Sequence, residues 1–356
     1  MGQKLGITEP APDIAVFTAL PVERQALLDA LGPSARYRWQ GQDLNVCDVD
    51  GTRVLVLPPS GMGNVGIAAL ATRAIGVWNP AQLLLVGIAG GVRGAGDDLR
   101  LGDVLVPDQV VGYELSKLTV EGPKPRYETY RPDYGLLSMA GSVEPAEWLL
   151  SGTAPAGVDP PPTTSRGPKA HFGPVLSGEK VIADDHTVDG LRTAWPKALG
   201  VEMESLGVAL AAYRGGPGFL MVKAVCDFAD SEKNDDWHDY AAAAAARFSV
   251  AVLRRYAGEH GATAGAERPQ AVPLDAPDSF PGAVKVRFCR GLVDDWEELA
   301  DYFGIPLHTK RRFQTGNEPR GVWEWLEVRH KLPLLPQALQ EVHPDLPDFF
   351  GPGVHT

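Results

Sequence analysis

The stretch GVEMESLGVALAAYRGGPGFLMVKAVCDFADSEKNDDWHDY, residues 200–240, indicates the fold class of the chain. Apolar residues recur at helical spacing in its first part, which predicts a helix that opens at Glu202. Residues 219–225 are a continuous apolar run, typical of a buried strand, and Asp227 follows at its end. Because α/β sheets bind ligands at the carboxyl ends of their strands, this pattern predicts an α/β fold with an acid at the ligand-binding edge.

The three acids in this stretch, Glu202, Glu204 and Asp227, have two possible interpretations. In the first, the two glutamates are first-turn acids that the helix dipole favours, and Asp227 is a turn residue. In the second, all three are buried beside the apolar sequence, where carboxylates with shifted pKa values mark functional sites. The residues alone leave both interpretations open.

Composition and length restrict the class of protein. The 356 residues predict two domains, and 44% apolar with 22% charged residues is typical of a globular chain. A net charge of −12 argues against nucleic acid or an anionic membrane as a partner. No apolar run approaches the roughly 20 residues that cross a bilayer, and the first residues do not resemble a signal peptide. Cys47, Cys226 and Cys289 fit neither a disulfide framework nor a zinc motif. We therefore expect a cytoplasmic protein without a metal.

The chain is predicted to contain two domains. Residues 1–258 alternate between strands and helices, which predicts an α/β domain with a mixed sheet. Within it, residues 151–170 are rich in Gly and Pro and predict an irregular excursion. Residues 259–283 predict a linker, and residues 284–356 a small all-α domain for protein–protein contact. The expected core of the second domain is Trp296, Leu299, Phe303, Phe313, Trp323, Trp325 and Leu326.

Strands and helix starts follow from the apolar periodicity and from Gly and Pro. Two of the short strands are predicted to be separated by a break at residues 107–109. The predicted strands are residues 13–18, a hairpin around Gly51-Thr52, and residues 83–86, 104–106 and 110–113, with helices that begin at Pro21 and Gly63.

Two glycine-rich turns each follow a predicted strand. Residues 61–66 (GMGNVG) match GxGxxG, but they do not follow the first strand, and the strand 83–86 ends in Gly87 rather than an acid. This argues against a nicotinamide cofactor, and we expect no cofactor. The second turn is residues 87–91. Since backbone N–H groups in such turns bind anions or ribose, we expect a ligand cleft where both turns meet Asp227.

Seven motifs in order resemble the purine nucleoside phosphorylase/nucleosidase superfamily, specifically its 5′-methylthioadenosine/S-adenosylhomocysteine nucleosidase-like branch. They are TALPVE (18–23), SGMGN (60–64), VGIAGGV (86–92), LGDVLVP (101–107), SGEKVI (177–182), VEMES (201–205) and VCDFAD (225–230). The resemblance covers residues 13 to about 256. It implies a nucleoside phosphorylase-like mixed central sheet flanked by helices, and a homo-oligomer.

The remaining sequence resembles modules of bacterial conflict systems. The run CDFADSEKNDDWHDYAAAAAARF is similar to nucleosidase domains fused to immune-type modules. The segment after residue 284 is similar to effector-associated, death-like adaptor domains. This resemblance implies an effector in antiphage defence, whose helical domain binds a sensor protein.

The superfamily resemblance also implies roles for individual residues. Asp227 matches the general acid that protonates N7 of the purine, and Glu204 the carboxylate that binds the ribose hydroxyls near the developing positive charge. Glu23 matches the residue that positions or deprotonates the attacking water. The other expected substrate contacts are Met203, Glu202, Ile182, Val181, Ile88, Ala89, Gly90, Gly63, Trp237 and Lys180.

The reaction type depends on phosphate ligands. Leu85 and Ile88 occupy the positions where the superfamily's phosphorylases carry an Arg and a Ser or Thr, and neither side chain can bind phosphate. Arg24 is one position away from the other basic ligand. Hydrolysis is therefore favoured, with a phosphorylase as the alternative.

The substrate remains open at this stage. Five basic residues are either surface residues or line the 5′ end of the sugar, where they would favour a nucleotide. We expect hydrolysis of an ATP-like nucleotide to adenine. The alternatives are a methylthioadenosine-type substrate, another purine nucleoside, and a non-enzymatic nucleotide sensor that signals through the helical domain. The five basic residues are Lys169, His171, Lys180, Lys223 and Lys233.

Overall fold

The computed structural model of the chain describes most residues of both predicted domains. The described residues form two compact units, one up to His260 and the other from Gly282. Residues 151–166, Lys233 and residues 261–281 lie outside them, and the domain boundaries at 258 and 284 stay predictions. The described residues are 3–4, 12–39, 41–95, 99–120, 122–149, 167–230, 235–260, 282–292, 295–305, 307–310, 313, 316–328 and 331–343.

The strands of the first unit lie in one large sheet and a separate two-stranded ribbon. The apolar runs predicted at residues 13–18, 83–86 and 219–225 all lie in strands of the large sheet. The strands are β1 Gln3–Lys4, β2 Ile14–Phe17, β3 Ser34–Trp39, β4 Gln42–Val49, β5 Thr52–Val56, β6 Gln82–Gly91, β7 Val104–Gly112, β8 Ser116–Thr119, β9 Gly122–Pro125, β10 Glu128–Tyr130, β11 Ala170–Ser177, β12 Gly200–Glu202 and β13 Gly218–Asp227.

Helices cover the large sheet on both faces. Two apolar clusters lie on opposite sides of the sheet, one under α2 and α6 and the other under α1, α3 and α7. The alanine run in α7 lets this helix approach α1 and β13 closely. The helices of this unit are α1 Pro21–Leu31, α2 Asn64–Trp78, α3 Tyr134–Gly141, α4 Pro145–Trp148, α5 Asp185–Ala194, α6 Ser205–Gly215 and α7 His238–His260.

The large sheet is mixed, as predicted, and part of it closes on itself. The strand order is β1-β3-β4-β5-β2-β6-β12-β11-β7-β10, and β13 pairs with both β6 and β7. The pairings β6–β13–β7–β11–β12–β6 therefore form a closed barrel. Strands β2, β6 and β13 run parallel, so that their carboxyl ends share one edge.

The predicted hairpin is present, but its turn lies one residue earlier. Val49 of β4 pairs with Thr52 of β5, and Asp50 and Gly51 form the connection with φ angles of 51° and 86°. Positive φ at both positions matches the twist of the flanking strands. Thr52 already belongs to β5.

Three predictions of local structure were wrong. The second glycine turn, residues 87–91, lies within β6, because β12 and β13 pair with it there and hold it extended. Residues 104–112 form one strand, since a register shift in the pairing with β11 lets β7 pass Pro107. The helix predicted to open at Glu202 begins at Ser205, because Glu202 still pairs with β11.

The second unit is all-α in its described residues. Leu299, Phe303, Trp323 and Leu326 are buried in its core, and the remaining predicted core residues pack against them, which confirms this core. No helix among the described residues has both the length and the apolar character needed to cross a membrane. Its helices are α8 Gly282–Gly291, α9 Trp296–Tyr302, α10 Leu307–Lys310, α11 Glu318–Val328, a 3-10 turn Leu332–Leu334 and α12 Leu335–Val342.

Candidate active site

The candidate site lies at the edge where β2, β6 and β13 end. Glu23 is in the first turn of α1, which follows β2, and Asp227 is the last residue of β13. Glu204 immediately precedes α6. All three carboxylates are buried. Asp227 stands at a turn, but it is buried and ends a sheet strand, so the fold matches the ligand-edge interpretation.

The Glu23 carboxylate accepts hydrogen bonds from three backbone N–H groups. Its Oε2 accepts hydrogen bonds from the N–H groups of Ala19 and Leu20 at 2.7 and 2.8 Å, and its Oε1 accepts from Ile88 at 2.9 Å. A Cβ at Gly87 would lie 2.3 Å from Oε1, so only glycine leaves room for the carboxylate. Burial raises the pKa of Glu23 above its ordinary value, although Lys223 and the backbone donors oppose the shift.

Lys223 is the buried cation of the site. It lies in the middle of β13, and its Nζ contacts Glu202 Oε2 at 3.0 Å and Glu204 Oε2 at 2.5 Å. Its side chain is 1% exposed. Burial alone would lower the pKa of Lys223, but the charges of Glu202 and Glu204 outweigh burial and raise it above the ordinary value. Lys223 therefore stays charged and balances carboxylates that would otherwise repel one another.

Glu202 and Glu204 are not first-turn helix acids. Glu202 ends β12 and accepts hydrogen bonds from the N–H groups of Glu204 and Ser205. Burial raises the pKa of Glu202, yet the Lys223 ammonium and side-chain hydrogen bonds outweigh burial and hold it below its ordinary value. Glu204 Oε1 accepts from the N–H of Gly63 at 2.9 Å. The two acids thus lie before α6 rather than in its first turn, while their carboxylates accept from N–H groups at the starts of α6 and α2.

The start of α2, predicted to bind an anion or a ribose, already holds protein carboxylates. Gly63 N–H donates to Glu204, and Asn64 N–H donates to Glu179 at 3.1 Å. The Asn64 side chain connects the same turn to β11 and α6, because its Nδ2 donates to Gly178 O and its Oδ1 accepts from Gly207 N. Backbone donors in this glycine turn are thus used to position Glu204.

Asp227 is held at a sharp turn. Its Oδ1 accepts from the N–H of Ala229 at 2.7 Å, and Ala229 has a φ of 55°. The Cys226 thiol donates to Asp227 Oδ2 at 3.2 Å. A Cβ at Gly90 would lie 3.1 Å from Oδ1, so the glycine of β6 leaves space beside the carboxyl group.

The expected substrate contacts divide into buried and exposed groups. Ile88, Ala89, Ile182 and Trp237 are buried. Met203 and Gly90 are half-buried. Val181 and Lys180 differ from these: Val181 is 54% exposed, and Lys180 extends to Glu114 at 3.3 Å with its side chain 76% exposed.

The four described members of the predicted basic set are not gathered around one ligand, and Lys233 lies outside the described residues. Lys223 is enclosed by carboxylates, and His171 Nε2 contacts Asp103 at 2.9 Å. Lys169 and Lys180 are exposed. Lys223 is therefore not a surface residue, and its ammonium is already paired with Glu202 and Glu204.

The fold and the arrangement of Glu23, Glu204 and Asp227 can now be compared with known proteins. The sequence model of the phosphorylase superfamily matches residues 13–256. The chain belongs to the phosphorylase superfamily. This match confirms the superfamily that the seven motifs predicted. The model of bacterial death-like domain 3 matches residues 282–349, in agreement with the predicted adaptor-like domain.

Curated relatives of this superfamily member include two kinds of nucleosidase. ATP nucleosidase Cap17 of Escherichia coli (strain KTE188) is 30% identical over 262 residues, covering 68% of this chain and 51% of the relative. The chain thus spans about half the length of that relative. A 5′-methylthioadenosine/S-adenosylhomocysteine nucleosidase of Marinomonas sp. (strain MWYL1) is 26% identical over 218 residues, covering 61% of this chain and 87% of the relative.

Solved structures of the superfamily share the fold of the first unit. The Neisseria meningitidis 5′-methylthioadenosine/S-adenosylhomocysteine nucleosidase, in complex with methylthio-immucillin-A, superimposes with a TM-score of 0.55 at 20% identity. The match covers 68% of this chain and 98% of that chain. It confirms the predicted nucleoside phosphorylase-like fold.

Sequence reasoning missed the role of Lys223. The signal was present, because a lysine within the apolar run FLMVKAV of a buried strand requires a buried partner. The partners lie outside that strand, so their identity needed the fold. Gly87 was also missed, since its function is to make space for Glu23 rather than to form a turn.

Lys223→Met is expected to lower the free energy of unfolding by about 3–5 kcal/mol, because it leaves Glu202 and Glu204 buried without their cation. Denaturant unfolding measures the change. The matched control is Lys180→Met, which removes an exposed lysine and should cost less than about 1 kcal/mol. Equal effects of the two substitutions would contradict the assignment of Lys223 as the charge that balances the site.

Proposed function

We propose that this chain hydrolyses the N-glycosidic bond of an ATP-like adenine nucleotide and releases adenine. The observation that carries the proposal is the position of Glu23. Its carboxylate accepts from three backbone N–H groups and shares the Lys223 charge with Glu202 and Glu204, at the sheet edge where β13 ends in Asp227. This arrangement supplies a base for water, negative charge for a cationic sugar and an acid for the leaving group.

The Glu23 carboxylate supports hydrolysis over phosphorolysis. It accepts hydrogen bonds from the N–H groups of Ala19, Leu20 and Ile88, which could otherwise donate to an external anion. Arg24, the nearby basic residue, donates instead to Leu57 O at 3.1 Å and to Asn45 Oδ1. A phosphate ion would have to displace the Glu23 carboxylate from these N–H groups. Arg24, which donates elsewhere, would not bind it.

The proposed mechanism follows the charges of the site. Breaking an N-glycosidic bond generates an oxocarbenium-like sugar, which is stabilised by the excess of carboxylates over the single Lys223 ammonium. A carboxylate has about four acceptor positions, and the N–H groups of Ala19, Leu20 and Ile88 leave one on Oε1 of Glu23 for a water proton. Asp227 donates a proton to N7 of the departing purine. The N-glycosidic bond then breaks and adenine leaves, after which water adds to the sugar cation and gives its proton to Glu23.

The substrate class rests on the relatives and on the second unit. The similarity to a relative named ATP nucleosidase supports an ATP-like nucleotide as the substrate. The match to a death-like domain at residues 282–349 supports a role as an effector in antiphage defence. The relatives named 5′-methylthioadenosine/S-adenosylhomocysteine nucleosidases support a second candidate, hydrolysis of a 5′-thio nucleoside. Among the described lysines of the predicted basic set, two are exposed and could contact the phosphates of a nucleotide. They are Lys169 and Lys180.

We further propose a cytoplasmic homo-oligomer whose helical unit binds a sensor protein. The free thiols of Cys47 and Cys289 suit a reducing compartment. The match to a death-like domain supports protein–protein contact by the second unit.

Adenine release should occur with ATP, without added phosphate, and Asp227→Asn should reduce its rate by about 10²–10⁴-fold, the contribution of a general acid. Chromatography would quantify free adenine from ATP, AMP, adenosine and methylthioadenosine, with and without phosphate. The exposed Asp189→Asn is the control. Release only from methylthioadenosine would favour the second candidate. Phosphate-dependent release would contradict hydrolysis, and tight ATP binding without release would support a sensor.

Activity is expected to fall at acidic pH with an apparent pKa above that of an ordinary glutamate. Glu23 acts as a base only when ionised, and burial raises its pKa, so protonation removes activity as pH falls through this raised value. Glu23→Gln should lower the rate and abolish this acidic limb of the pH–rate profile, whereas the exposed Glu128→Gln should leave it in place. An unchanged limb in Glu23→Gln would assign it to another group.

A chain that ends at His260 is expected to retain adenine release and to lose recruitment. The candidate site lies within residues 13–256, while the death-like match lies at residues 282–349. Circular dichroism would first establish that the shortened chain is folded, and the adenine assay would then be repeated. Loss of chemistry in the folded, shortened enzyme would contradict this division of roles.

A further inference from the structure

Asp227 belongs to a second cluster, formed with Cys226 and His238. One donor atom from each of the three residues, a thiol sulfur, a carboxylate oxygen and a ring nitrogen, lies within 4.8 Å of the other two. The Cys226 Sγ and Asp227 Oδ2 are 3.2 Å apart. Cys226 and Asp227 are buried, whereas the His238 side chain is 26% exposed.

A β-bulge brings the thiol and the carboxylate together. Neighbouring residues of a regular strand point to opposite faces. In the pairing of β13 with β6, Val225 is opposite Ala89 and Asp227 is opposite Gly90, so Cys226 is an extra residue. Such an insertion re-aims side chains and is common beside active sites. Because of it, two adjacent residues can contribute ligands to one point.

His238 completes the triangle from the start of α7. Its Nε2 contacts Asp235 Oδ1 at 3.2 Å. Pairing of an imidazole with a carboxylate is the usual support of a metal-bound histidine, because it fixes the orientation of the ring. The His238 ring thus contacts Asp235 and also lies near Cys226 and Asp227.

The three atoms are chemically matched to zinc. Zinc binds thiolate sulfur at about 2.3 Å and imidazole nitrogen or carboxylate oxygen at about 2.0–2.2 Å, which places tetrahedral ligands roughly 3.3–3.6 Å apart. The separation of Cys226 Sγ from Asp227 Oδ2 is already close to this value. The His238 nitrogen lies within 4.8 Å of the other two atoms and would have to approach them by at most about 1 Å to reach tetrahedral spacing. Three protein ligands leave the fourth position for water.

We propose that Cys226, Asp227 and His238 bind Zn²⁺, and that the bound ion inhibits the enzyme. The ion would displace the thiol proton and occupy the Asp227 carboxylate, so that Asp227 could not protonate a leaving purine. The inhibitory part rests on the proposed function, whereas the binding part does not. This site was missed in the sequence because the three residues have no zinc-motif spacing and meet only through the bulge and α7.

Metal binding is tested first, without substrate. Isothermal titration calorimetry of the full-length, tag-free protein with Zn²⁺ should show one equivalent bound, and Co²⁺ should give a thiolate-to-cobalt absorption band. Cys226→Ser and His238→Gln should each weaken Zn²⁺ binding by at least about 10-fold, the least that loss of even a supporting partner of a metal ligand costs. Cys289→Ser and His186→Gln, a half-buried thiol and an exposed imidazole elsewhere, are the matched controls.

The outcomes separate this proposal from the proposed function. No stoichiometric binding, or binding that survives both Cys226→Ser and His238→Gln, would overturn the site. In the adenine assay, Zn²⁺ should inhibit the wild type, a chelator should restore the rate, and His238→Gln should lower the sensitivity to Zn²⁺. Stoichiometric binding without any adenine release would leave the zinc site standing and overturn the enzymatic function. Adenine release that bound Zn²⁺ does not inhibit would overturn the inhibitory role alone.

Discussion

The site depends on one buried ion-pair cluster, Lys223 between Glu202 and Glu204, with Glu23 nearby. Each of these charges would be costly to bury alone, and one ammonium does not neutralise three carboxylates. Backbone N–H groups offset part of the remaining negative charge, including that of Ile88 toward Glu23 and that of a glycine toward Glu204. The edge of the sheet thus has fixed negative charge in the absence of substrate, which is the field that a developing sugar cation requires.

Close approach between carboxylates and backbone is what makes this charge arrangement possible. Gly87 has no Cβ where Glu23 reaches β6, and Gly63 donates its N–H directly to Glu204. At Gly207 an added Cβ would lie 2.3 Å from Asn64 O. The helix α6 can therefore pack this closely against the start of α2 only because residue 207 is a glycine. Glycines that resemble a phosphate-binding pattern in the sequence therefore serve internal carboxylates. Backbone N–H groups can bind an external anion or an acidic side chain, and here the N–H of Ile88 in β6 binds Glu23.

Periodicity and motif order predicted the fold class, the strand that ends in Asp227 and the core of the second unit, because those features depend on local patterns of apolar residues. The predictions that failed depend on neighbours in space. Residues 87–91 have the composition of a turn but lie between paired strands, and Glu202 has helical propensity but completes a ladder with β11. Lys223 could be recognised as an anomaly in an apolar run, whereas its partners come from β12 and the start of α6. Pairings of this kind cannot be inferred from one segment alone.

The site is already assembled in the single chain, and this restricts how the protein can be controlled. Glu23 and Glu204 make their positioning hydrogen bonds with residues of the same unit, and Asp227 is held by its own turn. Under the proposed function, constant hydrolysis of an ATP-like nucleotide would harm the host cell. Because the charges need no rearrangement, restraint has to act on access to the site or on occupation of a catalytic group. The bulge at Cys226 places a thiol against Asp227, so in the proposed scheme the strand that supplies the acid also supplies a ligand for the ion that would occupy it.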